Sequence, residues 1–118
     1  MSQKIEIAFA GNHYTHTEDP AWMAVSSPIK VTNHGSEPAR LRAAEFTLLS
    51  LDEEPVCTGQ VAPDLTLAAG DEAMLTVALR CPASVVREGM SLCKGSVAYE
   101  QGGEQLTRSA VGMVSILP

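Results

Sequence analysis

The 118-residue sequence predicts an all-β fold, a single antiparallel β-sandwich of about seven strands occupying residues 1–118. Three observations lead there. Apolar and polar residues alternate at period 2 in several short runs, as in strands with one buried face. Clusters of Gly, Pro, Asn, Asp and Ser separate those runs at roughly 8–12 residue intervals. No segment sustains the 3.6-residue apolar spacing of a helix, so a parallel sheet would lack its crossover helices. The 45% of hydrophobic residues is enough for one core.

The elements follow in order. Ile5, Ile7 and Phe9 alternate with Lys4, Glu6 and Ala8 in a first strand, and residues 13–19 read as a polar loop after it. Ile29 and Val31 alternate with Lys30 and Thr32, and the turn formers Asn33 to Pro38 end that strand. The run Phe46 to Leu51 is apolar on both faces, which predicts a central strand whose outer face a loop or a partner covers. It favours a sandwich over a barrel. Asp52-Glu53-Glu54-Pro55 closes it. Val56 to Val61 is a fourth strand, which Leu65-Thr66-Leu67 extends past Pro63. After the turn Ala68 to Asp71, the residues Leu75, Val77, Leu79 and Cys81 make the clearest alternation in the chain. Pro82 stops it, and Ala83 to Met90 is a connection with room for one helical turn. Cys93, Val97 and Tyr99 share a face of the next strand. Gln101 to Glu104 is a glycine hairpin, and Leu106 to Ile116 is the last strand. The chain contains no internal repeat, linker or low-complexity segment.

Composition excludes several functions. With 8 basic against 14 acidic residues and 4% aromatics, the chain lacks the basic patches and stacking platforms of nucleic-acid binding. No run approaches the roughly 20 apolar residues of a membrane-spanning helix. The charge is unevenly placed. Residues 43–79 contain no Lys or Arg but seven carboxylates, Glu45, Asp52, Glu53, Glu54, Asp64, Asp71 and Glu72, against a formal net of −6 for the whole chain. An acidic face of this kind steers a basic partner or keeps sheet edges soluble. The segment Met1 to Ile7 has neither the apolar core nor the small-residue cleavage site of a secretory signal. A cytoplasmic protein is expected, with a mature secreted or periplasmic domain as the alternative.

Candidate chemistry is sparse. His13, His16, Glu18 and Asp19 are potential zinc ligands, with His34 as a third imidazole if two loops share one end. Along a strand, however, His13 and His16 point to opposite faces. Cys57, Cys81 and Cys93 contain no C-x-x-C, and three reduced, buried thiols are expected. Two bridges compete with that expectation. Cys57 and Cys81 stand opposite in a hairpin centred on Ala69, and Cys81 and Cys93 bracket a short connection. No G-x-S-x-G elbow, dinucleotide fingerprint or phosphate loop occurs, so no enzyme and no cofactor is expected. Trp22 is expected in the core, with an exposed partner anchor as the alternative.

Ile29-Lys30-Val31-Thr32-Asn33, Phe46-Thr47-Leu48-Leu49, Gly59, Leu65 to Gly70 and Leu75-Thr76-Val77 resemble immunoglobulin-like and fibronectin-III-like modules. Among these, the order is similar to the water-stress domain of late-embryogenesis-abundant proteins. His34 follows Asn33 where that family favours Pro, and the Cys…Trp…Cys framework of antibody domains is missing. The resemblance implies an immunoglobulin-like sandwich and, by family, a stress-protective role. The residues themselves favour a binding or assembly module whose partner is a protein or a second copy. Its contacts are expected from Asp52, Glu53, Glu54, Asn33 and His34, on the reasoning that loops on a rigid scaffold carry recognition. A small metal-binding protein using His13 and His16 is the second hypothesis.

Overall fold

The computed structural model describes residues 4–50, 52–86 and 89–118. Its elements are β1 (Ile5–Phe9), β2 (Asn12–His16), β3 (Trp22–Asn33), β4 (Ala39–Leu49), β5 (Pro55–Val61), β6 (Leu65–Leu67), β7 (Glu72–Pro82), β8 (Gly89–Gln101) and β9 (Glu104–Leu117). There is no helix among the described residues. The fold is the expected all-β, immunoglobulin-like sandwich, with nine strands among the described residues rather than about seven.

The two additional strands have local causes. β2 was hidden by its polarity, because the one fully buried position it offers is Asn12. Leu65–Leu67 does continue β5 along the same edge of β4. The left-handed φ of 44° at Asp64 interrupts the run, however, and the register slips by one residue, so β6 stands as a separate short strand. β3 also starts earlier than the alternation suggested, since its inward position before Ile29 is the small polar Ser27. β4 starts early as well. A register shift between Leu41 and Ala43 moves its inward set from Ala39 and Leu41 to Ala44, Phe46 and Leu48, masking the period in the sequence.

β7, β3 and the β1–β2 edge form one layer, and β9, β8, β4 with β5 and β6 form the other. β2 joins them. It runs antiparallel to β3 at His13↔Ser26 and parallel to β9 at Asn12↔Ile116. The hydrogen-bonded sheet is therefore mixed, not purely antiparallel. Between the layers lie Val25, Ile29 and Val31 of β3, Leu75, Val77 and Leu79 of β7, Phe46 of β4 and Val97 of β8. Each such aliphatic contributes roughly 1.5–3 kcal/mol by leaving water. Phe9 meets Phe46 edge-on, with centroids 5.7 Å apart. Gly95 makes room for it, since a Cβ there would stand 2.6 Å from Phe9 Cε1.

The connections β2–β3, β4–β5 and β7–β8 lie at one end of the sandwich, called the upper end. Those from β3 to β4, β6 to β7 and β8 to β9 lie at the lower end. In the β7–β8 connection, Ala83 to Val85 form a turn closed by Val85 N–H donating to the Pro82 carbonyl at 3.0 Å. Met1 to Gln3, Leu51 of the doubly apolar run, and Arg87 and Glu88 of that connection fall outside the described residues.

The structure corrects the cysteine expectation. Cys57 of β5 and Cys81 of β7 are disulfide-bonded, and Cys93 is the free thiol. The bridge does not lie across the hairpin centred on Ala69, because β5 and β7 are not hydrogen-bonded neighbours. They meet as facing margins of the two layers. Gly59 makes the approach feasible, because a Cβ there would collide with the Ala78 carbonyl oxygen and lie 3.0 Å from Val77 Cγ1.

Candidate interaction face

The outer face of β9, β8, β4 and β5 divides into an apolar half and a polar half. In β4, β8 and β9 the outward positions line up in register. Leu49 stands opposite Leu92, which stands opposite Met113, in an apolar row across three strands. The next row is Thr47, Lys94 and Val111. Met90 lies one outward step above Leu92. Met90, Val111 and Met113 expose 64%, 59% and 48% of their surface, large values for apolar side chains grouped on one sheet end. Thr47 is buried nonetheless, with its hydroxyl 3.0 Å from that of Thr58 on β5.

Towards the lower end the same face becomes charged and self-paired. Arg42 of the β4 bulge donates to Glu100 at 3.3 Å, and Arg40 donates to Asp64 at 2.9 Å. The bond from Arg40 holds the Asp64 carboxyl below the usual carboxylate range and raises the guanidinium pKa in turn. Shallow clefts of about 380 and 360 Å³ flank Glu100, lined by these engaged side chains.

Asp52, Glu53 and Glu54 form the β4–β5 tip immediately beyond Leu49, exposed at the upper end. Ser50 shapes this tip. Its hydroxyl accepts from the Asp52 and Glu54 N–H groups at 3.2 Å each, and its carbonyl accepts from Glu53 N–H at 2.9 Å. Glu53 takes a left-handed φ of 63°. None of these three carboxylates has an ion-pair partner among the described residues. The remaining acids of residues 43–79 do not join them. Glu45 accepts from Gln60 at 2.7 Å on the outer face, while Asp64 and Glu72 pair with Arg40 and Lys30 at the lower end. The acidity concentrated in the sequence is thus divided between two ends rather than gathered on one face.

The other expected contact residues are placed differently. Asn33 is fully buried, so it is not a contact residue but a lower-end anchor. Its Nδ2 donates to the carbonyls of Glu37, Leu67 and Ala68, and its Oδ1 accepts from Gly35 N–H and Gln101 Nε2. Three lower-end loops are thereby tied to one side chain. His34 is exposed beside Glu6 at 3.1 Å, at the end opposite Asp52–Glu54. His13 and His16 fall on opposite sides of β2, and Tyr14 shares the side of His16, ring to ring at 6.5 Å. β3 separates the upper-end His16 from His34 by its whole 12-residue length. No group of three potential metal ligands converges among the described residues. Trp22 is not in the core. It is half-buried at the upper end of β3, with the Arg80 guanidinium 4.8 Å from its ring centroid.

Sequence reasoning missed Met90, Leu92, Val111 and Met113. A signal was present in Ala110 to Val114, which is apolar on both faces in the manner of Phe46 to Leu49. The outward residues of both runs lie on this face, at matching height.

No protein-family model and no curated protein matches the chain in sequence. Solved structures do match in shape. The structural-genomics target SoR45 is similar at TM-score 0.70 and 13% identity, over 98% of this chain and 89% of that one. A Bordetella pertussis protein bearing the name ApaA is similar at TM-score 0.63 and 16% identity, over 95% of this chain and 93% of that one. AT1g01470 from Arabidopsis thaliana is similar at TM-score 0.59 and 13% identity, over 93% of this chain and 82% of that one. At these identities the likeness establishes the fold alone.

Proposed function

We propose that the chain is a non-enzymatic protein-binding module whose contact surface is the upper half of the β4–β8–β9 outer face. The observation carrying this reading is the Leu49–Leu92–Met113 row, with Met90 and Val111 exposed beside it. An apolar group of this kind on a folded sheet is characteristic of an interface core, where such residues are desolvated behind a polar rim. Asp52, Glu53 and Glu54 supply an unneutralised rim at one side. The complementary partner presents apolar side chains with Lys or Arg beside them, and the acidic rim adds mainly to its association rate. Nucleic acid is disfavoured by the same charges.

The metal-binding alternative has no convergent ligands to support it. A stress-protective role rests on the family resemblance, and Asn33 and Gly59, which help carry that resemblance, are occupied with folding here. As for location, Cys57–Cys81 favours an oxidising compartment over the cytoplasm, because reducing compartments open such bridges.

Affinity capture with the whole chain tests the function. Wild-type protein and the double variant Val111→Asp/Met113→Asp are immobilised at low salt and exposed to native lysate. The wild type retains a stoichiometric partner that the folded variant loses. Equal retention by both, or no retained protein with a monomeric wild type, refutes the reading.

A further inference from the structure

The junction that joins the two layers contains polar groups the fold leaves unsatisfied. One residue beyond the His13↔Ser26 pair, the β2–β3 register sets Asn12 opposite Ser27. Both residues are 0% exposed. Asn12 Nδ2, Asn12 Oδ1 and Ser27 Oγ have no hydrogen-bond partner among the described residues. Isolated buried polar atoms are rare because each forfeits its hydration, and three on two facing residues are rarer still. A direct Asn12–Ser27 bond would satisfy the hydroxyl and only one of the two amide atoms. Directly opposed residues on paired strands hold their Cβ atoms about 4.5–5.5 Å apart, a span suited to a bridging molecule.

We infer that Asn12 and Ser27 form an internal binding site for an ordered water that hydrogen-bonds all three atoms. Water donates to Oδ1, accepts from Nδ2–H and meets a hydroxyl in either sense, and buried waters typically make about three hydrogen bonds. Its place gives it a structural role. Asn12 is also the residue at which β2 begins its parallel pairing with β9, so the water fastens the strand where it passes between layers. This inference is independent of the proposed protein-binding face.

Oxygen-17 relaxation dispersion of the solvent counts long-lived internal waters in the intact protein. Asn12→Leu is expected to lose at least one such water relative to wild type, and an unchanged dispersion in the folded variant overturns the site. Should Asn12→Leu fail to fold, rotating-frame cross-relaxation between water and the Asn12 amide protons decides instead. It is read in Ser27→Ala, where no hydroxyl proton can relay the signal. A direct cross-peak supports the site. Its absence, with Ser27→Ala as stable as wild type, overturns it.

Discussion

Cys57 and Cys81 hold their Cα atoms 5.6 Å apart across the margin where the two layers meet, and the bridge between them closes a loop with a sequence separation of 24. The strands concerned are not paired by backbone hydrogen bonds, so the bridge replaces a ladder that the topology omits. Restricting the unfolded chain by a loop of this length contributes about 3.5 kcal/mol in the chain-entropy model. Cys57→Ser/Cys81→Ser is expected to lose about that much in urea unfolding. Under non-reducing denaturation, mass spectrometry should find one alkylated thiol, and three would exclude the bridge.

Cys93 is the thiol that remains. Burial pushes it from an ordinary 9.0 up to about 11, while a backbone hydrogen bond at Gly112 pulls the other way. The folded chain therefore keeps this proton where the unfolded chain has released it, and stability falls as pH rises through 9 towards 11. Cys93→Ala should flatten that part of the pH–stability curve relative to wild type. Iodoacetamide at pH 8 should leave native Cys93 unlabelled and modify it after unfolding.

The Asn33 amide faces three backbone carbonyls and accepts two further hydrogen bonds at the lower end. Asn33→Ala is expected to cost about 2–3 kcal/mol, the scale of leaving buried polar groups unsatisfied. Asn33→Asp should cost more at neutral pH, because it turns a donor into a carboxylate facing those same carbonyls. Its folded state would favour the protonated acid, so this variant should gain stability as pH falls. Denaturation of the three proteins at pH 7 and pH 4 checks the order and the sign.

Asp52, Glu53 and Glu54 carry no ion pair among the described residues, so their removal should leave stability within about 0.5 kcal/mol. The variant Asp52→Ser/Glu53→Asn/Glu54→Ser respects the left-handed φ of 63° at Glu53, which Asn tolerates. Against the captured partner, its association rate should fall at low salt and approach the wild-type rate at high salt. A rate unchanged at low salt would assign these charges to solubility alone.

The strands were legible wherever one face was apolar and the other polar. Leu75 to Cys81 kept strict period 2 because β7 has one core face and one wet face along its length. The pattern failed where the inward residue was itself polar, at Asn12 and Ser27, and where the bulge at Arg42 reversed the parity of β4. Asn33 was singled out as a turn residue for contact, since sequence shows its polarity but not the carbonyls converging on it. Asp52 to Glu54 end their strand at a turn, as their composition suggested.

By itself the sequence determined the all-β class, the alternating core and the excess of acid, because each follows from local periodicity or from composition. Only the tertiary structure decided which of those features meet. Residues 33 and 101, 57 and 81, and 49, 92 and 113 become neighbours through strand pairing and layer packing. Long-range register fixes such contacts, and it depends on bulges, turns and buried polar residues that a period of 2 cannot encode.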